Sequence, residues 1–227
     1  FLAPSFAPAG STQMTTATDL VTFARALIGG GTAENGARIL SASAARLMQE
    51  PTAEFLTVGP AAKNVGLGWM ILPGGVLFHG GGGPGVQSSL YAHPASGRAA
   101  ALLTNCDKGS RLMSEFLDPI VRTWTGLPAA AASQRIEVGD PGPYVGTYEN
   151  NADRYVISAD NAGLALRTYD KLNTYDNSNV ERPVTLLFPV GNDTFENSSR
   201  AVRFVRPDGR GKFRFLASWD RLLARAS

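Results

Sequence analysis

The clearest chemical signal in the sequence lies in residues 76–89, VLFHGGGGPGVQSS. His79 precedes four consecutive glycines, and its imidazole can accept or donate a proton near neutral pH. Consecutive glycines let a backbone approach a ligand closely and leave N–H groups free to face developing negative charge. The pattern therefore indicates proton transfer beside an oxyanion site. A glycine-rich hairpin with an incidental histidine accounts for the same residues and stays open as an alternative.

Two other motifs fit these glycines only in part. Gly80, Gly82 and Gly85 have the spacing of the dinucleotide-binding fingerprint, but a second strand follows them where that fingerprint requires a helix. The letters HGGG also occur in the oxyanion loop of lipase-like hydrolases, which need a Gly-x-Ser-x-Gly elbow further along the chain. No such elbow follows here. We therefore set both interpretations aside.

Helices and strands that could position this segment are predicted on both sides of it. Residues 16–29 carry apolar side chains on one helical face, and a shorter helix follows Ser41, whose hydroxyl can cap it. Between residues 65 and 105, short apolar runs separated by turns predict an antiparallel meander. A helix with a broad apolar stripe follows over 110–125, with Pro119 expected to kink it.

The rest of the chain differs in composition and in hydrophobic periodicity. Residues 127–142 are small and proline-containing with no periodicity, which is typical of a linker. Short alternating segments then predict that residues 143–227 form a small antiparallel barrel or sandwich. One hairpin in this part is predicted to have a single buried face. That face is expected to hold Val202, Phe204, Phe213 and Phe215.

The composition excludes several classes of function. Lys+Arg 21 against Asp+Glu 19 leaves a net charge of +2, too small to indicate a binder of nucleic acid or of a membrane surface. No run approaches about 18 consecutive apolar residues, so no membrane span is expected. The single cysteine, Cys106, excludes an intrachain disulfide and is expected to be a packed thiol. His93 is expected in a surface turn, and no metal or organic cofactor is predicted.

Several motifs in the right order resemble the penicillin-recognising serine hydrolases, specifically the class C β-lactamase-like group with its esterase and D-aminopeptidase relatives. FHGGGGPGVQSS is similar to the His-Gly-Gly variant of that family's third active-site motif. PAGSTQMTTATDLVTFARALIGGG and ILSASAARLMQEP resemble two helices that precede this motif in the family. The likeness covers roughly residues 8–125. The later segment YVGTYENNADRYVISADNAGLAL resembles the start of the lipocalin-like barrel appended to many of these hydrolases.

The resemblance implies an α+β fold. Residues 1–126 would form the C-terminal part of a β-lactamase-like serine hydrolase domain, an antiparallel sheet with helices. A linker at 127–142 and a small antiparallel β-barrel over 143–227 would follow. The family attacks an acyl carbon with the serine of a Ser-x-x-Lys motif, whose lysine deprotonates the serine. It implies no metal or organic cofactor and suggests a periplasmic or extracellular location.

The family's site residues carry over by position. His79 becomes the catalytic side chain of the third motif, and Gly80 and Gly81 complete the motif as substrate-binding residues. The N–H of Gly82 becomes the oxyanion donor, worth about 3 kcal/mol of barrier lowering if aligned. The substrate implied is a small molecule or a peptide: a β-lactam, a D-amino-acid peptide or an ester.

The nucleophile is where this sequence departs from the family. The residues three positions before its lysines are Pro60, Asn105, Thr168 and Gly209, so the sequence contains no Ser-x-x-Lys. Tyr-x-Asn, the family's second motif, is spelled at 148–150 and 175–177, after the third motif instead of before it. We interpret both as chance matches. The simplest expectation is that the nucleophile lies on an N-terminal segment outside this sequence.

That expectation implies a partner. A part of a hydrolase domain would expose a sheet edge and a core face, so we expect either the N-terminal segment in trans or self-association. Two functions of other classes stay open. The chain could be a catalytically inactive penicillin-binding-like module used for binding or as a scaffold, or a ligand binder carried by the barrel. A barrel interior filled by side chains would count against the last.

Overall fold

The computed structural model describes residues 14–54, 64–83, 85–106, 108–126, 133–137, 139–161, 163–171, 183–197, 200–218 and 221–226. Its contacts divide the chain into two compact units, and the boundary between them falls after residue 130. Residues 127–132 lie outside the described residues, so the linker stays a prediction.

The first unit contains a six-stranded antiparallel sheet whose strands are neighbours in sequence order, β1 to β6. Two helices precede the sheet and a helical segment follows it. The predicted meander and the helices on either side of it are therefore confirmed. The elements are α1 Ala17–Ile28, α2 Ala42–Gln49, β1 Ala53–Glu54, β2 Asn64–Val65, β3 Met70–Ile71, β4 Leu77–Gly83, β5 Val86–His93, β6 Arg98–Thr104, α3 Gly109–Leu112, a π-helical turn Met113–Leu117 and α4 Asp118–Thr125.

Capping side chains fix where the first two helices begin. The hydroxyl of Thr16 accepts a hydrogen bond from the N–H of Asp19 at 3.1 Å, and the Asp19 carboxylate accepts one from the N–H of Thr16 at 3.2 Å. This reciprocal pair is a capping box. At α2, the Ser41 hydroxyl accepts from the N–H of Ala44 at 3.1 Å, as its sequence predicts.

The two faces of the sheet have separate cores. Leu77 and Leu90 face α1 and α2, whose Leu27 and Ala45 are fully buried against them. The opposite face packs against the helical segment that follows the sheet. Its core is formed by Val76, Tyr91, Leu117 and Val121, with Phe78, Ala100 and Leu102 packed around them.

A π-helical turn accommodates Pro119 in this helical segment. The N–H of Asp118 donates to the carbonyl of Met113, five residues back, and α4 then begins with the proline in its first turn. A proline in that position loses no helical hydrogen bond, because its missing N–H would be unpaired there anyway. The predicted kink thus takes the form of a wider turn that precedes Pro119.

The predicted apolar stripe of this segment is only half buried, which corrects the sequence analysis. Met113, Leu117 and Val121 are 4–7% exposed and face the sheet. Trp124 is half-buried and packs beside them, but three other large apolar side chains are exposed. These are Leu112, Phe116 and Ile120, with 48%, 57% and 41% of their surfaces exposed.

The second unit is a closed eight-stranded antiparallel barrel, so the predicted barrel is confirmed. Around the barrel the strands follow the order β10-β11-β12-β13-β14-β7-β8-β9, and β9 pairs with β10 to close it. The strands are β7 Gly146–Glu149, β8 Asp153–Asp160, β9 Gly163–Asp170, β10 Thr185–Gly191, β11 Thr194–Glu196, β12 Ala201–Pro207, β13 Phe213–Ser218 and β14 Arg221–Arg225.

Large side chains pack together inside this barrel. Tyr148, Phe195 and Phe204 are at most 1% exposed, and the Tyr144 ring stacks on Phe213 with centroids 5.2 Å apart. An interior packed in this way counts against a ligand-sized central cavity. The other core residues are Tyr155, Ile157, Leu164, Leu166, Leu187, Val202, Leu216 and Leu223.

One detail of the predicted hairpin is wrong. Leu216 lies opposite Phe204 and shares its inward face, whereas Phe215 lies opposite Val205 and is only half-buried. Near the turn, Arg206 has a left-handed φ of 57°, so the regular alternation of faces is lost at this end of the hairpin.

Two further expectations for single residues are also wrong. His93 is 5% exposed, and its ring nitrogens form hydrogen bonds with the Ser96 hydroxyl at 2.8 Å and the Gly74 carbonyl at 3.2 Å. Cys106 is exposed, and its sulfur accepts a hydrogen bond from the N–H of Lys108.

In the described part of the chain, no helix has both the length and the apolar character to cross a membrane.

Candidate active site

The candidate site is built on β4, which carries His79 and the glycine run. His79 lies opposite Leu90 of β5, on the sheet face that carries Leu77. Its side chain is exposed, and the imidazole makes no hydrogen bond to the described part of the chain. The ring is therefore available to a ligand. The pairing of β4 with β5 fixes the backbone of His79.

One edge of β4 is open along the glycine run. On one side β5 pairs with every residue of β4 from Leu77 to Gly83. On the other side β3 pairs only with Leu77 and Phe78. From His79 onward, that second edge has no strand partner among the described residues. Alternate N–H and C=O groups along that edge have no strand partner in the described part of the first unit, which suits an oxyanion or an extended substrate.

Gly81 faces Ser88 across the hairpin. A Cβ at residue 81 would stand 2.5 Å from the Ser88 Oγ, closer than two such atoms can approach. Glycine at this position therefore lets the hydroxyl lie over the β4 backbone. Ser88 is two residues from Leu90, the partner of His79, so the hydroxyl and the imidazole share one face of the sheet.

Gly82 has a different neighbour, on the other face of the sheet. A Cβ there would stand 3.1 Å from the amide group of Gln87, which lies opposite. Gly80 would meet the ring of Phe78 at 3.2 Å on the same face. The predicted residues His79 and Gly80 to Gly82 are thus brought together on one strand. Their roles as catalytic and substrate-binding groups stay predictions.

Sequence reasoning did not single out Ser88 or Gln87 as site residues. The signal that could have found them is the short turn after the glycine run. With Gly83 paired to Val86, the register of the hairpin places residue 88 opposite 81 and residue 87 opposite 82.

The reverse face of the hairpin is anchored to the helical segment. The Tyr91 hydroxyl donates to Asp118 Oδ1 at 2.8 Å, and the Tyr91 ring lies 4.7 Å from that of Phe78. The Ser89 hydroxyl contacts the Met113 sulfur at 2.9 Å. Burial, reinforced by the hydrogen bond to Asp118, raises the pKa of Tyr91 far above its usual range, so the phenol stays a donor at neutral pH.

Both second-motif matches come after residue 130 in the sequence, outside the unit that carries β4. Tyr148 lies in the barrel core, where its hydroxyl donates to the Tyr144 carbonyl at 3.0 Å. The match at 175–177 lies outside the described residues. Across the part that the structure describes, no three His, Cys, Asp or Glu side chains are arranged to hold a metal ion.

Known proteins resemble this chain in sequence and in structure. The Beta-lactamase family matches residues 2–131. Penicillin-binding protein 4 of Amycolatopsis lactamdurans is 34% identical over 143 residues, which are 59% of this chain and 37% of that protein. The crystal structures of SurE and of SurE with D-Leu are each 24% identical, with a TM-score of 0.63 over 93% of this chain.

These matches differ in what they show. The likeness to SurE is one of fold alone, and it covers 48% and 50% of the two SurE chains. The chain thus spans between about a third and a half of the length of the relatives it matches. The family match covers more than half of the chain and includes all of β4 and β5.

Proposed function

This chain belongs to the beta-lactamase family, and from that premise we propose that it forms one wall of the active site of a serine hydrolase. The reaction proposed is cleavage of an amide or ester bond through an acyl-enzyme. A serine oxygen bonds to the acyl carbon, the bond to the leaving nitrogen or oxygen breaks, and the serine proton passes to the leaving group. Water then releases the acid and regenerates the serine.

The observation that carries this proposal is the position of His79 beside the open edge of β4. An exposed imidazole stands beside a strand edge that has no partner among the described residues, and the Ser88 hydroxyl shares its face of the sheet. In the proposed site His79 assists proton transfer or holds the substrate, and Gly80 and Gly81 bind the substrate along the strand. The N–H of Gly82 donates to the oxyanion.

The proposal places the nucleophile and its base on an additional N-terminal segment, because the 227 residues contain no Ser-x-x-Lys. Two features of the first unit support a partner of that kind. The apolar side chains of Leu112, Phe116 and Ile120 are exposed in one row along the helical segment. Within the described residues, β6 pairs with β5 alone, so its other edge is available to a further strand. Self-association is the alternative occupant.

The proposed substrates are β-lactams, D-amino-acid peptides and simple esters. The homologue is named a penicillin-binding protein, which favours a penicillin as the first probe. A structure of similar fold was determined with D-Leu, which favours peptides that contain a D-residue as the second. We assign residues 1–126 to the hydrolase part, 127–142 to a linker and 143–227 to the barrel, whose packed interior disfavours a separate ligand-binding role.

The test joins the chain to its upstream segment carrying Ser-x-x-Lys and incubates the product with a fluorescent penicillin or a fluorophosphonate. Mass spectrometry is expected to find one adduct on that serine. A variant with the serine replaced by alanine is the matched control and should stay unlabelled, as should the 227-residue chain alone. If the joined protein is folded and no adduct forms with either reagent, the enzyme proposal fails and the inactive binding or scaffold module becomes the better account.

A further inference from the structure

Four exposed cations cluster at the turn between β12 and β13 of the barrel. They are Arg206, Arg210, Lys212 and Arg214. None of the four forms an ion pair with a described carboxylate, and Asp208 attracts Arg210 and Arg214 only at longer range. The net charge of +2 for the whole chain does not show this local excess, which the hairpin concentrates at one place on the surface.

The single acid within residues 206–214, Asp208, is bound by the backbone of the turn. Its Oδ1 accepts hydrogen bonds from the N–H groups of Arg210 at 2.7 Å and Lys212 at 3.1 Å. These hydrogen bonds hold the carboxylate against the main chain. The four cationic side chains around it therefore keep an excess of positive charge that a partner can reach.

The hairpin also brings two of these cations together at a cost in stability. The register of β12 and β13 places Arg206 across from Arg214. Like charges directly opposite each other in a strand pair are destabilising. Arg206 also adopts a left-handed φ of 57°, which is unfavourable for a residue with a side chain. An anionic partner that contacts both arginines would remove their repulsion.

Apolar side chains lie on the outer surface beside this cluster. Leu216 points into the barrel core, so Phe215, its neighbour on β13, faces outward. Leu222 faces outward on β14 for the same reason, because Leu223 belongs to the core. Leu222 is 43% exposed, Phe215 is half-buried, and the Arg206 guanidinium lies 6.0 Å from the centroid of the Phe215 ring.

Acids on the neighbouring strands do not neutralise the cluster. Glu149, on β7, lies 2.9 Å from Arg154. Asp193, in the turn before β11, accepts a hydrogen bond from the Tyr144 hydroxyl at 2.9 Å. Glu196 is opposite the first residue of β12, about 17 Å along the strand from the turn. That distance exceeds the Debye length of about 8 Å at physiological salt, so its charge is largely screened from the cluster.

From these observations we propose that the β12–β13 hairpin binds an anionic lipid surface. The basic side chains of the turn face the negative head groups, and Phe215 and Leu222 add apolar contact at the interface. This combination favours a bilayer over a soluble polyanion, which would gain little from the apolar pair. The surface is independent of the hydrolase wall proposed above, because all of its residues belong to the second unit.

The experiment sediments the full chain with vesicles of phosphatidylcholine, or of phosphatidylcholine mixed with phosphatidylglycerol. The chain is expected to bind the mixed vesicles, to ignore the neutral ones and to be released as the salt concentration rises. Arg206→Gln combined with Arg214→Gln should weaken the partition coefficient about 10–30-fold, since each basic residue near such a surface contributes about fivefold. The matched control combines Arg98→Gln with Arg122→Gln, removes two exposed arginines from the first unit, and should bind like the unchanged chain.

A second variant separates a lipid surface from a soluble polyanion. Leu222→Gln should weaken binding to the mixed vesicles about threefold or more and leave binding of inorganic polyphosphate unchanged. Binding of polyphosphate without binding of vesicles would overturn the lipid assignment.

Equal binding to neutral and anionic vesicles, or an equal loss in the control variant, would overturn the role of the hairpin. Circular dichroism checks that each variant is folded. Should the variant at 206 and 214 fail to fold, Arg210→Gln combined with Lys212→Gln tests the same surface from within the turn, with the same expected loss of binding.

Discussion

Ser88 lies directly across the hairpin from Gly81, and its Oγ is 2.5 Å from the point where a Cβ on residue 81 would stand. The hydroxyl therefore occupies space that any other residue at 81 would fill. Because Gly81 lies in β4 two residues after His79, this close approach shapes the surface beside the imidazole. This contact with Ser88 explains why residue 81 is glycine, although no turn at that position requires one.

The variant Gly81→Ala is expected to destabilise the chain by about 1–2 kcal/mol, because the new methyl group and the Ser88 hydroxyl require the same space. The measurement is urea unfolding of the full chain. In the double variant Gly81→Ala with Ser88→Ala, the overlapping oxygen is gone and most of the loss should be recovered. Gly83→Ala is the control, since a Cβ there meets only the Val86 side chain at 3.5 Å. Equal losses at 81 and 83 would contradict the argument.

Removing the Tyr91 hydroxyl should weaken the attachment of the β4–β5 hairpin to the helical segment that follows the sheet. Tyr91→Phe deletes the 2.8 Å hydrogen bond to Asp118 and leaves that carboxylate without its donor, at an expected cost of about 1–3 kcal/mol. Tyr169→Phe is the matched control, because the Tyr169 hydroxyl makes no hydrogen bond with the described residues. The free energy of unfolding of both variants is compared at pH 7. A loss no greater than that of the control would show that the hydrogen bond does not stabilise the fold.

The barrel should lose stability in alkali. Burial raises the pKa of Tyr148 to about 12, with Arg225 acting in the opposite direction, so the neutral phenol is favoured in the folded protein. A tyrosine in the unfolded chain ionises near its ordinary pKa of about 10. The contribution is therefore complete below pH 10 and is lost as the pH rises from about 10 to 12.

The measurement is the free energy of unfolding between pH 9 and 12. The unchanged chain is expected to show a downward slope in this range, and Tyr148→Phe should reduce that slope while lowering stability at pH 7. Part of the dependence remains in this variant for two reasons. Burial and a hydrogen bond to Asp193 raise the pKa of Tyr144 to about 12, and burial and a hydrogen bond to Asp118 raise the pKa of Tyr91 as well. An identical slope in both proteins would mean that Tyr148 ionises normally in the fold.

Arg225, on the last strand, forms hydrogen bonds to three other residues of the second unit. Its guanidinium donates to the Tyr148 hydroxyl at 2.7 Å, to the Phe213 carbonyl at 3.3 Å and to the Val145 carbonyl. Arg225→Met removes these bonds and leaves half-buried acceptors without donors, at an expected cost of about 2–4 kcal/mol. Arg214→Met, at an exposed position of β13, should change stability by less than about 0.5 kcal/mol. Similar losses for both arginines would refute this role.

Much of the architecture could be predicted from the sequence because its local signals agree with the fold. The capping hydroxyl of Ser41 precedes the second helix, and the apolar runs separated by short turns form the meander. The barrel follows from alternating strands that bury aromatic and aliphatic side chains on one face. At this level, periodicity and turn chemistry determine the result.

The finer errors have tertiary causes. Alternation alone assigns Phe215 to the buried face, but the left-handed Arg206 disturbs the hairpin and Leu216 takes that place. His93 is buried against a turn that is distant in sequence, where the Gly74 carbonyl accepts a hydrogen bond from its Nε2. The hydroxyl of Ser88 over Gly81 depends on register, which a motif search for His-Gly-Gly does not consider.

The central claim is that His79 acts in an active site completed by a serine from another segment. The most direct measurement is the acylation rate of the joined protein by a fluorescent penicillin, compared between the unchanged protein and His79→Ala. The exposed imidazole has no hydrogen bond to the described residues, so the variant should fold normally and keep its unfolding temperature. Arg98→Ala, an exposed change at the start of β6, is the control.

His79→Ala is expected to lower the acylation rate about 10²-fold or more, the size expected for loss of a group that assists proton transfer. Arg98→Ala should acylate at the unchanged rate. Acylation of His79→Ala at the rate of the unchanged protein, with the adduct on the same serine, would contradict the claim that this strand forms a wall of the active site.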